Sequence, residues 1–141
     1  MQKVVIRFIL GLFLLSGIAN ADMVVPATAL PKNAQSFISS TFKDAQVMYV
    51  EQDFDSFEVR LSNGVKIDFY RDGNWKEIES YNGINPALLP AQVATTLQST
   101  FPNVTIIKVE KEWSGYEVKL ANMLKVYINE AGQVIGQKSD D

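Results

Sequence analysis

The chain of 141 residues contains no histidine and no cysteine. The first absence removes a Ser-His-Asp arrangement, the second a Cys-His pair, and together they remove the usual zinc ligands. With no cysteine there is no disulfide brace either, so stability has to come from burial of apolar surface. No GxGxxG or GxxxxGK[ST] run occurs, which leaves out the phosphate-cradling loops. Positive charge is in short supply: 13 Lys and Arg stand against 16 Asp and Glu. A nucleic acid or an anionic membrane surface is recognised by clustered basic charge, so neither is an expected partner.

What is present begins with MQKVVIRFILGLFLLSGIANA. Lys3 and Arg7 form a short basic region, Phe8 to Leu15 an apolar run, and Ala19-Asn20-Ala21 a small-residue cleavage pattern. This predicts a secretory signal peptide over residues 1–21, cut after Ala21, and a periplasmic or secreted product. The apolar run falls short of the roughly 20 residues that a membrane-spanning helix needs. Beyond it, 11 basic against 16 acidic residues give a net charge of −5. Length favours one compact domain. Residues 22–29, beginning DMVVPAT, and the end of the chain, QKSDD with its tail 138–141, are expected to fray.

The body of the chain repeats itself at a spacing of 59 residues. Leu30-Pro31 returns as Leu89-Pro90, Ser40-Thr41-Phe42 as Ser99-Thr100-Phe101, Val50-Glu51 as Val109-Glu110, and Glu58-Val59 as Glu117-Val118. Leu61, Asn63, Lys66 and Gly73 likewise return as Leu120, Asn122, Lys125 and Gly132. Such a period marks one supersecondary unit per copy. Each unit opens on a helix, with Pro31 and Pro90 expected in its first turn. Ala34, Ile38 and Phe42, and then Val93, Leu97 and Phe101, form one apolar stripe apiece. Pro102 ends the second helix. Leu30 and Leu89 are poor N-cap residues.

After each helix the period shortens to 2. Phe57, Val59 and Leu61 alternate with polar residues, as do Val65, Ile67 and Phe69, then Tyr116, Val118 and Leu120, then Leu124, Val126 and Ile128. These are strands with one buried and one wet face. Less regular strands are expected at 46–53 and 105–112, with fourth strands at 75–80 and 133–136. Asn63-Gly64 signals a two-residue hairpin turn, and Asn122-Met123 keeps only half of that signal. The expected fold is therefore α+β: a tandem α-β-β-β-β repeat over 30–80 and 89–137, joined by a linker at 81–88. Its antiparallel sheet, single or split in two, carries both helices on one face and leaves the other open.

The ordered set of motifs is L-P before each helix, Val109 to Leu120 (VEKEWSGYEVKL), Asp72 to Trp75 (DGNW) and the second L-P. It resembles the PepSY-like family of secreted bacterial proteins, also described as β-lactamase-inhibitor-like, over Ala29 to Ile135. The resemblance implies a tandem α-β₄ repeat in the bacterial cell envelope. It also implies kinship with an inhibitor of related architecture that grips its enzyme with a concave sheet. That inhibitor has disulfides and this chain has none, so no inhibitory residue carries over.

Candidate chemistry is thin. Glu51, Asp53, Asp55 and Glu58, with Glu110, Glu112 and Glu117 at matching places, alternate with bases as solvated strand faces do. A glycosidase pair needs two carboxylates at a set separation. Asp53-Phe54-Asp55 hints at calcium but lacks the remaining ligands of an EF-hand loop. Ser36, Ser39 and Ser40 near Lys32 and Lys43 form a polar helix face, and Asn103-Val104-Thr105 matches a glycosylation pattern by coincidence. The aromatics carry more. Phe54 and Trp113 precede the first turn of each unit, and Tyr70 and Tyr127 lie on the wet phase of their strands; Tyr and Trp dominate interface hot spots. Trp75 is expected to cover a sheet end or the join between the units. The reading is a non-enzymatic envelope module, without cofactor or metal. It would bind a protein or peptide through the open face, using Tyr70, Tyr127, Trp113, Phe54, Arg60, Lys119, Glu58 and Glu117. The alternative is a calcium or small-ligand sensor.

Overall fold

The computed structural model describes residues 23–140; the expected leader lies outside the described residues. Two ten-residue helices, α1 (Lys32–Thr41) and α2 (Ala91–Thr100), pack on one antiparallel sheet of nine strands. The strands are β1 (Met23–Val25), β2 (Val47–Gln52), β3 (Ser56–Leu61), β4 (Lys66–Tyr70), β5 (Trp75–Glu79), β6 (Ile106–Glu112), β7 (Gly115–Leu120), β8 (Leu124–Asn129) and β9 (Val134–Ser139). Their order in the sheet is their order in the chain. The fold is α+β and tandem, as expected. The choice between one sheet and two is settled at the join, where Ile78 of β5 pairs with Val109 of β6.

The helices form where the apolar stripe has a sheet to face. Ala34 and Ile38 of α1, and Val93 and Leu97 of α2, are buried. Pro31 and Pro90 are the N-caps rather than first-turn residues, and neither cap makes a side-chain hydrogen bond. Tertiary tethers compensate. Asn33 Nδ2 donates to the carbonyl of Asp72 at 3.0 Å, and its repeat mate Gln92 Nε2 donates to that of Glu130 at 3.0 Å. Under α1, Phe37 stacks on Trp75 and meets Phe69 edge-on, with centroids 6.3 and 6.1 Å apart. In the second unit Thr96 stands in place of Phe37 and instead donates its hydroxyl to the Gly132 carbonyl at 2.6 Å.

Register places one aliphatic residue from each of seven strands in a single row beneath the helices. Val50, Val59, Ile67, Ile78, Val109, Val118 and Val126 are mutual neighbours across the ladder. None is more than 1% exposed. This row crosses the repeat boundary without a break, so the two units share one core.

Three expectations need correcting. The stretch expected to fray after residue 22 instead forms β1, an edge strand whose Val25 pairs with Val50 at the end of the aliphatic row. At the other end β9 runs on to Ser139, and Asp140 is anchored by Lys119 at 2.9 Å and Lys125 at 3.6 Å. Pairing on β2 at one end, and pairing on β8 with an ion pair at the other, outweigh the tendency of chain ends to fray. Third, the β3–β4 loop is not a two-residue turn. Leu61 N–H bonds to the Val65 carbonyl across Ser62, Asn63 and Gly64, and only Gly64 has positive φ, +88°. Met123 takes the same left-handed conformation, with φ +69°, so both units close alike despite the lost glycine.

Candidate binding face

The face of the sheet opposite the helices is built from charge. Strand alternation sends Glu58 and Arg60, Asp68 and Lys66, Glu77 and Glu79, Glu110 and Lys108, and Glu117 and Lys119 to the same side. Register then sorts them by sign. One row across adjacent strands reads Glu51, Glu58, Asp68, Glu77, Glu110, Glu117 and Tyr127. The next row reads Tyr49, Arg60, Lys66, Glu79, Lys108, Lys119, Lys125 and Lys138. Like charges directly opposite in a sheet each cost about 0.2–1 kcal/mol, so the rows hold only because they lie side by side.

Ion pairs stitch the rows together, except that Lys66 pairs with Glu79 within the second row, where Glu79 is the single acid. Arg60 binds Glu58 at 3.0 Å, Lys66 binds Glu79 at 3.6 Å, Lys108 binds Glu77 at 3.5 Å and Lys125 binds Glu117 at 3.4 Å. Among the described residues no basic group lies within 4.0 Å of Asp68 or Glu110. Both carboxyls are held above the ordinary range. For Asp68 the cause is burial, which with Glu77 and Glu58 outweighs the pull of Lys66. For Glu110 it is burial, reinforced by Glu77, Glu112 and Glu117. Burial pulls the Lys66 ammonium down, but Asp68, Glu58, Glu79 and Glu77 together keep it above its usual value.

The residues singled out from sequence divide into two groups. Glu58, Arg60, Tyr70 and Phe54 lie in the first unit, and Glu117, Lys119, Tyr127 and Trp113 in the second. Strands β3 and β7 are four steps apart, about 19 Å at ~4.8 Å per step, so Glu58 and Arg60 stand well away from Glu117 and Lys119. Phe54 is 83% exposed at the β2–β3 turn, where Arg71 Nη1 donates to its carbonyl. Asp53, the calcium hint, caps this turn by accepting from Phe54 N–H at 2.7 Å. Tyr70 ends β4 with Lys76 Nζ 5.9 Å from its ring centroid. Trp75, expected at a sheet end or the join between units, lies instead in the core against Phe37, with Lys111 Nζ 4.3 Å from its ring centroid. Trp113 covers nothing: it is 100% exposed. It stands at a cavity of about 220 Å³ lined also by Glu112, Tyr127 and Ile135.

Glu112 leads from this cavity into the acidic row. Carboxylate oxygens of Glu110, Glu112 and Glu117 all lie within 4.8 Å of one another. Sequence reading named these three acids only as parts of wet strands. It missed Glu77 altogether, because Glu77 joins the row only through the β5–β6 pairing, 33 residues away from Glu110 along the chain. The signal within reach was that the acids of the two units fall at the same shift, Glu51 with Glu110 and Glu58 with Glu117.

A protein-family model described as "Putative beta-lactamase-inhibitor-like, PepSY-like" matches residues 18–67 and 55–136. The chain belongs to the PepSY-like family. No curated protein matches this PepSY-like sequence. Solved structures do. One is a putative calcium-regulated periplasmic protein from Bacteroides thetaiotaomicron, 28% identical, with a TM-score of 0.78 over 84% of this chain and 97% of that one. A putative periplasmic protein of unknown function from Bacteroides vulgatus is 25% identical, with a TM-score of 0.77 over 84% and 100%. A further B. vulgatus periplasmic protein is 27% identical, with a TM-score of 0.76 over 86% and 99%. Among the described residues no helix is long and apolar enough to cross a membrane.

Proposed function

We propose that this PepSY-like chain is a non-enzymatic, exported module of the cell envelope that holds a protein or peptide on the open face of its sheet. The observation that carries the reading is the face itself. A nine-stranded sheet is covered by helices on one side only; its other side presents an acidic row beside a mainly basic one, and exposed Phe54 and Trp113 stand at the hairpin tips along one edge of that face. Charge rows give register and specificity, and aromatic anchors give affinity. Periplasmic description of the solved relatives supports export; removal of the leader after Ala21 is part of the proposal and rests on the small-residue pattern Ala19-Asn20-Ala21. The division into repeats at 30–80 and 89–137 belongs to the same reading. So does the non-enzymatic assignment, which rests on the missing His, Cys and phosphate loops.

The test uses Asp22–Asp141 as bait in crosslinked periplasmic extract, with a Tyr70→Ala/Tyr127→Ala control. A partner captured by the native bait and lost with the control supports the face; capture that survives both substitutions refutes it.

A calcium-sensing role is the second reading. It is favoured by the three clustered carboxylates of Glu110, Glu112 and Glu117 and by the description of one relative as calcium-regulated. Millimolar calcium should then raise the melting temperature, and Glu112→Gln should abolish the rise. An unchanged melt removes this reading.

A further inference from the structure

The duplication supplies an internal control for the cavity beside Trp113. Its lining Tyr127, Ile135 and Ser114 correspond, 59 residues earlier, to Asp68, Lys76 and Asp55. The first unit therefore carries its own cation at that end of the sheet. Lys76 Nζ sits 5.9 Å over the Tyr70 ring, and Arg71 Nη1 bonds the Phe54 carbonyl. In the second unit the lysine has become Ile135 and the arginine Glu130. The tip aromatic is kept, Phe54 becoming a fully exposed Trp113, and a half-buried Tyr127 stands where the first unit has Asp68; the cation is gone, and so is the ring beneath it, since Asn129 replaces Tyr70. What remains is a cavity with aromatic and aliphatic walls, with Glu112 in its lining and Glu110 and Glu117 behind. Among the described residues neither Glu110 nor Glu112 has a basic group within 4.0 Å, while Glu117 is bound by Lys125.

We infer that this cavity receives a basic side chain, arginine above all, from an extended segment of the partner protein, which supplies in trans the cation that the first unit holds in cis. The chemistry of the walls selects it. A planar guanidinium stacks on an indole face and offers paired donors to carboxylates. Its methylene stem fits against Ile135 and Tyr127, contacts a metal ion could not use. Of the open face as a whole, this names the end that carries specificity, and it rests on the proposal that the face engages a protein.

The experiment is a titration of ¹⁵N-labelled Asp22–Asp141 with blocked alanine peptides carrying a central arginine, leucine or glutamate. The observed signals are the two tryptophan indole N–H resonances, with that of Trp113 assigned through Trp113→Phe. The arginine peptide should move the Trp113 signal saturably and leave that of core Trp75 in place; the other two should not. Glu110→Gln/Glu112→Gln should weaken the effect roughly five- to tenfold, and Asp53→Asn in the first unit should leave it unchanged. An equal response to the leucine peptide, or no response to any, overturns the cation pocket; the wider face stands or falls separately on the crosslinking experiment. Calcium that shifts the same signal and expels the arginine peptide would overturn it in favour of a metal site.

Discussion

Replacing Glu110 by glutamine should make the protein more stable, and by an amount that depends on pH. Glu110 lies directly opposite Glu77 on one side and Glu117 on the other, with Glu112 two residues along the same strand face. Each directly opposed like-charge pair costs about 0.2–1 kcal/mol. Lys108 at 3.5 Å from Glu77 and Lys125 at 3.4 Å from Glu117 partly neutralise the neighbours, which puts both pairs in the lower half of that range. The expected gain is then about 0.5–1 kcal/mol near neutral pH, or about 2–5 °C in melting temperature for a domain of this size. The sign of the pH dependence follows from the raised carboxyl. Burial and neighbouring acids let folded Glu110 hold its proton to higher pH than the unfolded chain does. Between the two values the native state binds more protons, so wild-type stability rises as pH falls through the window. Below the unfolded value of 4.5 the carboxyl is neutral in both states and the glutamine loses its advantage. Thermal melts in a chelator, at neutral pH and near pH 4, read this directly. A destabilised variant at neutral pH, or a gain equal at both, would refute the idea that the row is under repulsive load.

Three other outcomes follow from the same geometry. Ile78→Ala, at a fully buried residue where the repeats join, should cost about 2–5 kcal/mol and leave urea unfolding a single transition; two transitions would mean the units fold independently. Met123→Gly should stabilise by about 1 kcal/mol in denaturant titration, since a left-handed methionine with φ +69° costs about 1–2 kcal/mol and glycine returns part of that as chain entropy. Asp140→Asn should lower the melting temperature slightly at neutral pH and not at all in acid. The Lys119 hydrogen bond holds that carboxyl below its ordinary value, so its contribution exists above 3.8 and is lost as pH falls through the folded value.

Most of the fold was legible because β3, β4, β7 and β8 each have one dry and one wet side, and alternation records that. Fold ends were not, because an edge strand is held by its neighbour rather than by its own pattern. Met23-Val24-Val25 shows no alternation, and Gln137 occupies the core row's register beyond β8 yet is polar because no helix reaches it. The turn at Asn122-Met123 misled for a related reason: the hydrogen bond from Met123 N–H to the Leu120 carbonyl at 2.9 Å matters more than the residue's own backbone preference. At the candidate site, individual acids and aromatics could be named from sequence. Their sorting into rows could not, since that depends on strand register, and the exposure of Trp113 against the burial of Trp75 depends on which tip a helix overhangs.

Strand β1 occupies a telling place. Val24 lies opposite Glu51 and Val25 opposite Val50, just as Glu77 lies opposite Glu110 and Ile78 opposite Val109. A short 3-10 turn follows each of these strands, at Ala27–Ala29 and Pro86–Leu88. So β1 stands to the first unit as β5 stands to the second. The structural module is thus strand, turn, helix and three strands, written twice and closed by β9. Such an architecture is open-ended: its energetics are those of a linear array of neighbour-to-neighbour seams, in which another copy could be spliced after β9 with β9 taking the part of β5. Length is then a variable that gene duplication can adjust without redesigning the core, and each added copy would widen the charged face by four strands.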